Sequence, residues 1–424
     1  MRDHSDHRSI GPRSIGPRLI GPWPVSSWII LGVGFVVLSL SFSARSALQI
    51  AMPLWEQEFG WSRSLVSTGG ALALAVIAAI SPLAGHLLDR VGVRAMLGLG
   101  LVALGVGTML TSTVGGAPWQ FLLVYGGITA VGFGMVSNTV ISTMIAWTFT
   151  ARRGLATGIA TSGATAGQLL LVPLLAAFLG TIGWRTVYLA IGLAALLLAV
   201  VVRLSLASRD HSTSGAFAAT RPEMTFAELW RSPVFHALFW SFSVCGFTTA
   251  GVIETHFVPY AVLCGFPPVT GASAYGLLMA VNFCGMILAG WLADRMHRPL
   301  LLGLIYILRG VAFLLLLGIA DDPAMLVAFA VMFGLFDYST VPVTASLVAS
   351  HLGLRVMGLA MGLLAAGHAL GGAAGALMGG TLFDLFARYD GVWLLSVAVA
   401  IGAGFICFTI RETRAPGRLA PVAA

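Results

Sequence analysis

From about Trp28 onward the chain alternates long apolar stretches with short polar ones. The apolar stretches begin near Trp28, Ser64, Met96, Trp119, Gly154, Trp184, Val234, Thr270, Leu300, Ala324, Val356 and Gly391. A hydrocarbon core about 30 Å thick takes about 20 apolar residues per helix, so each stretch predicts one membrane-spanning helix. Helices are expected throughout, because lipid offers no partner for an unpaired backbone N–H or C=O. The predicted class is all-α and integral to the membrane, with twelve transmembrane helices.

The polar punctuation repeats. Gly85-His86-Leu87-Leu88-Asp89-Arg90-Val91-Gly92-Val93-Arg94 returns as Gly290-Trp291-Leu292-Ala293-Asp294-Arg295-Met296-His297-Arg298-Pro299. Arg153-Gly154-Leu155-Ala156-Thr157-Gly158 is matched by Met357-Gly358-Leu359-Ala360-Met361-Gly362, and Gly163 and Gly167 by Gly367 and Gly371, with Gly375 and Gly379 beyond. Small residues four apart line one helix face and let backbones approach closely. The duplication predicts two pseudo-symmetric six-helix bundles, residues 26–205 and 233–411. Residues 206–232 are the expected linker, with a short interfacial helix between Met224 and Trp230. Residues 1–25, where Ser-Ile-Gly-Pro-Arg occurs twice, read as a disordered tail without the apolar core of a signal peptide. A second tail is expected over 412–424.

Composition removes other classes. With 58% hydrophobic and 9% charged residues, a soluble domain of this size could not cover its apolar surface. All basic residues are arginine. With a cytoplasmic N-terminus, only Arg63, Arg185 and Arg388 fall outside, and Arg45 and Arg309 fall within spans. That bias predicts both termini in the cytoplasm and places the chain in the cytoplasmic (inner) membrane. The net charge of +7 is thus topological and predicts no nucleic-acid partner. The four cysteines form no CxxC pair and the nine histidines no grouping of the HExxH kind, so no metal, cofactor or enzymatic activity is expected.

Charges inside spans carry the remaining chemistry. An Arg or Asp at the bilayer centre costs roughly 2.5–3.5 kcal/mol on insertion scales, so each needs a partner or a wet cavity. Arg45 lies well along the first run with no acid near it in sequence. It is either an anion ligand or a structural contact. Arg309 and Asp337 stand at similar depth in antiparallel neighbouring runs and predict a buried ion pair, with proton coupling as the other role for Asp337. Asn138, Gln168, Glu254, His256, Asn282 and His368 are the other polar residues able to reach a central cavity.

On these marks the chain resembles the major facilitator superfamily. Within it, Phe59-Gly60-Trp61-Ser62-Arg63, Arg152-Arg153-Gly154-Leu155-Ala156, Gly183-Trp184-Arg185 and His256-Phe257-Val258-Pro259-Tyr260-Ala261 resemble monocarboxylate transporters and oxalate/formate exchangers. The resemblance implies a cavity lined by the first, fourth, seventh and tenth helices, and alternating access by rocking of the halves. It also implies that Gly85, Asp89, Arg90, Gly92 and Arg94, with Asp294, Arg295 and Arg298, form a conformational latch. Asp89 can accept from N–H groups at a neighbouring helix start, while Arg90 and Arg94 can satisfy helix-end carbonyls or bind anionic lipid. Arg45 matches a basic residue that meets the substrate carboxylate, and His368 a lysine of the exchangers.

Two places depart from the pattern. Asn282 and Met286 stand where an acid and an arginine are usual, and Gly163, Gly167 and Gln168 lack the Gly-Pro pair of drug/proton antiporters. The expected function is secondary active transport of a small organic solute, foremost a carboxylate anion, with proton symport and a monomeric carrier. The candidate proton carriers are His368, Glu254, His256 and Asp337. Anion exchange, drug/proton efflux and a receptor or scaffold role are the alternatives.

Overall fold

The computed structural model describes residues 25–206, 225–319 and 322–412. The two expected tails and most of the expected linker lie outside the described residues. Helix α1 is Val25–Phe59. Arg63–Ser112 is one helical run interrupted at Gly92, whose φ of 80° and ψ of 167° glycine adopts without a Cβ penalty; it divides α2 (63–91) from α3 (93–112). Then follow α4 (Pro118–Thr148), α5 (153–182), α6 (Trp184–Ser205), α7 (Pro233–Leu263), α8 (Pro268–Ala293), α9 (Arg298–Leu317), α10 (Pro323–His351), α11 (Met357–Phe386) and α12 (Asp390–Phe408). Twelve long helices among the described residues agree with the count of apolar stretches.

Local chemistry sets the helix ends. Ser62 accepts from the Leu65 N–H ahead of α2, Ser232 from Phe235 ahead of α7 and Asp322 from Ala324 ahead of α10. In the linker region, Thr225 and Glu228 form a capping box that starts a short helix, Phe226–Arg231, close to the expected interfacial helix.

Besides α5, which is interrupted by a turn at Ser162, three of the long helices are irregular. α4 runs through a π-helical stretch, Leu122–Thr129, and breaks at Val136 and Ser137; α7 is π-helical over Phe247–Ile253; α10 breaks after Phe336 and restarts at Thr340. Such turns free backbone groups that other side chains must satisfy.

Glycine faces order the packing. A Cβ on Gly163 or Gly167 of α5 would fall on the backbone of Phe35 or Ser39 of α1, and one on Gly371 or Gly375 of α11 on that of Ser243 or Phe247 of α7. These contacts stay within a half. Others cross between halves: Gly85 of α2 lies against Gly358 of α11, and Gly154 of α5 against Gly290 of α8. Large apolar side chains such as Leu197, Leu204 and Leu377 remain exposed on the outer surface, where hydrocarbon rather than water is the solvent.

Candidate functional site

Between the halves lies a cavity of about 100 Å³, lined from α1, α2, α4, α7, α10 and α11. A water needs roughly 10–15 Å³ of such space, so the cavity has room for several waters or a small solute. Arg45 and Phe42 enter from α1, Asn138 from the restart of α4, Phe242 from α7, Tyr338 from the break in α10 and His368 from α11.

Arg45 is the cation among the cavity-lining residues, and the structure supplies the partner that its sequence neighbourhood lacks. Its Nη2 stands 3.7 Å from Glu254 Oε2 of α7, with the two side chains 34% and 15% exposed. The Tyr338 hydroxyl donates to the other Glu254 oxygen at 2.8 Å. The Tyr125 hydroxyl donates to the Arg45 carbonyl at 3.4 Å. The His368 ring packs against Phe242 with centroids 5.0 Å apart. Asn138 Oδ1 is buried without a hydrogen-bond partner.

Three expected ligands are not among the lining residues. Gln168 donates to Ser46 Oγ at 3.3 Å and ties α5 to α1. Asn282 is fully buried; it donates to Asp337 Oδ2 at 3.1 Å and accepts from the Tyr338 N–H. His256 bonds the Ala376 carbonyl at 3.1 Å and the Tyr389 hydroxyl at 3.4 Å, joining α7 to α11 and to the residue that precedes α12. Packing within a half already satisfies Asn282 and His256, whereas Gln168 is bonded through its Nε2 alone and its Oε1 is buried without a partner. Conversely, Tyr338, Ser137 and Phe242 line the cavity without having been singled out. The only signal for Tyr338 in the sequence was its place beside Asp337.

The expected Arg309–Asp337 ion pair is corrected. Both residues are fully buried and adjacent, but the guanidinium donates to the backbone carbonyls of Phe336 and Asp337 and to Thr248 Oγ1. The Asp337 carboxylate instead accepts from Thr249 Oγ1 at 2.5 Å and from Asn282. The break in α10 leaves carbonyls without helical donors, and the fork of Arg309 satisfies them.

At the arginine-rich end the two acids of the duplicated phrase cross between halves. Asp89 accepts from the N–H groups of Gly358 and Leu359 at 3.0 and 2.9 Å, at the start of α11. Asp294 accepts from Gly154 and Leu155 at 2.7 and 2.8 Å, at the start of α5. These are charge-assisted bonds to helix N-termini. Burial nevertheless pushes the Asp294 carboxyl above the usual carboxylate range, against the pull of those donors.

The arginines of the phrase do not share this role. Arg94 donates to the Arg203 carbonyl at 3.0 Å, Arg298 to Glu412 at 2.7 Å, and Arg295 lies 3.9 Å over the Trp291 ring. Each of these contacts stays within one half, while Arg90 is exposed. Of the expected latch residues, Asp89, Asp294 and Gly85 make the cross-half contacts described above, and Trp147 adds another by donating to the Leu354 carbonyl at 2.8 Å.

The sequence profile of the Major Facilitator Superfamily matches residues 34–320 and 283–424. The uncharacterized MFS-type transporter YcxA of Bacillus subtilis is 27% identical over 369 residues, covering 85% of this chain and 88% of that one. Monocarboxylate transporter 11 of Homo sapiens is 28% identical over 397 residues, 89% of this chain and 81% of that protein. Among solved structures, the transporter FucP in its outward conformation aligns with a TM-score of 0.74 at 16% identity, over 92% of this chain and all of that one, a likeness of fold alone.

Proposed function

Since this chain belongs to the major facilitator superfamily, and is therefore a multi-pass membrane transporter and not an enzyme, we propose that it moves a small organic carboxylate by alternating access. The observation that carries this reading is Arg45, a partly exposed guanidinium in a small cavity between the two halves. Apolar walls such as Phe42 and Phe242 suit the body of a small organic acid, and the guanidinium suits its carboxylate. Human Monocarboxylate transporter 11, by its name a carboxylate carrier, supports the same class.

Residues 26–205 and 233–411 act as the two rocking bundles, with the arginine-rich end in the cytoplasm and the protein in the inner membrane. In that orientation the Asp89 and Asp294 contacts hold the cytoplasmic side closed. A single chain encloses the cavity, so the carrier works as a monomer. An anion entering against a negative-inside potential meets roughly 2.3 kcal/mol per charge per 100 mV, and a co-transported proton cancels it. Proton symport is therefore the coupling we assign to uptake.

Arg45→Ala is expected to abolish uptake of monocarboxylates into proteoliposomes while the protein remains folded, and Arg45→Lys to retain part of it. Full uptake by Arg45→Ala would remove this residue from the binding site. Uptake indifferent to pH but driven by an anion loaded inside the vesicles would replace symport with exchange.

A further inference from the structure

We propose that Glu254 carries the coupled proton, and that it does so by yielding Arg45 to the substrate carboxylate. The inference rests on the reading of Arg45 as the anion-binding cation and adds the group that links this cation to the proton.

Arg45 and Glu254 belong to different halves and meet at the edge of the cavity, with Glu254 one helical turn beyond the lining residue Ala250. Their separation of 3.7 Å is long beside the Arg298–Glu412 pair at 2.7 Å in the same molecule. A charge-assisted N–H to carboxylate bond is ordinarily about 2.7–2.9 Å, so the bridge is loose enough to be replaced. The groups facing Glu254 are Arg45 from α1, Tyr338 and Asp337 from α10 and Tyr275 from α8. His368 of α11 lines the same cavity, and Tyr125 of α4 lies against Arg45. Neither of the other two buried candidates contacts Arg45: His256 is held by the Ala376 carbonyl and Tyr389, and Asp337 by Thr249 and Asn282.

Charge balance then determines the stoichiometry. With Glu254 ionised, its charge cancels that of Arg45, and an arriving carboxylate would leave an uncompensated negative charge within the membrane. Such a charge is costly at that depth. When a proton binds Glu254 Oε2, the bridge ends and the guanidinium pairs with the substrate carboxylate instead. The Tyr338 hydroxyl can go on donating to Oε1. After the substrate leaves on the other side, Arg45 attracts Glu254 again and the proton is released there. One proton moves with each carboxylate, and the loaded site is neutral.

Two measurements test this. Acid-minus-neutral infrared difference spectra of the purified protein should show the C=O stretch of a protonated carboxyl group that disappears in Glu254→Gln and persists, shifted, in Glu254→Asp. In proteoliposomes with a panel of monocarboxylates from acetate to benzoate, wild-type affinity should weaken as pH rises, approaching about tenfold per pH unit if one proton binds with each carboxylate. In Glu254→Gln the affinity should no longer follow pH, an inward proton gradient should no longer accelerate uptake, and each turnover should carry one negative charge. Gradient-driven uptake by Glu254→Gln, or an unchanged infrared band, overturns the proposal. Carboxylate uptake that depends on Arg45 but stays proton-driven in Glu254→Gln would leave the binding site standing and reject Glu254. Loss of the band without binding of any carboxylate would reject the substrate class and keep Glu254 as a proton site.

Discussion

Arg309 reaches from α9 to the broken turn of α10, where one planar group donates to two backbone carbonyls and to Thr248. Its worth lies in that fork, and removing it leaves buried carbonyls unpaired beside the Asp337 carboxylate. Arg309→Ala is expected to cost roughly 1–3 kcal/mol for each buried carbonyl left without a donor, read as a drop in thermal unfolding temperature in detergent. Arg309→Lys should recover only part of that loss, because a single ammonium cannot span the three acceptors. At the opposite end of the molecule from the Asp89 contacts, Glu58 accepts from Trp184 Nε1 at 2.6 Å and from Arg185 at 2.5 Å. The Trp184 bond first, then Arg185, hold its carboxyl below the usual range. A carboxyl depressed in the folded state contributes stability above its unfolded pKa and loses it as pH falls through the folded one. Thermal melts between neutral and acidic pH should therefore show an acid-sensitive component that Glu58→Gln lacks.

The breaks in the helices, more than the helices themselves, position the cavity. Asn138 and Tyr338 both stand at interruptions, in α4 and in α10, where the backbone is free to present side chains inward. Gly85 and Gly290 do the complementary work at the arginine-rich end, since a Cβ on either would meet the backbone of the facing helix in the other half. Gly85→Ala is thus expected to keep the halves apart there, shifting the population toward the state open on that side. Spin labels on α2 and α11 would report a longer distance than in the wild type. Gly402→Ala, on α12 with nothing within 4 Å of the added carbon, is the control and should leave the distance unchanged. An unaltered distance in Gly85→Ala would show that this contact does not set the closed state.

At the scale of the whole molecule the halves touch strongly at one end and enclose a small charged cavity above it. The arginine-rich end is where Asp89 and Asp294 cross between halves, so orientation in the membrane decides which compartment that closed side faces. A fluorescent protein fused after Ala424 should fluoresce and an alkaline phosphatase fused there should be inactive, as a cytoplasmic C-terminus requires. The reverse pattern would invert the assignment of the closed side while leaving the site unchanged.

The twelve helices were legible in the chain because lipid imposes a period and a minimum apolar length that residue order alone satisfies. The duplicated phrase likewise placed Asp89 and Asp294 at corresponding positions in the two halves. The partners were not legible. Glu254 lies far from Arg45 in sequence, and only the packing of α1 against the second half brings them within 3.7 Å. Which face of each helix turns inward also decided that Asn138 and His368 line the cavity while Gln168, His256 and Asn282 do not. A polar residue in an apolar run announces that it needs a partner, but not which one. The partner depends on crossings and helix breaks, and these are properties of several helices packed together.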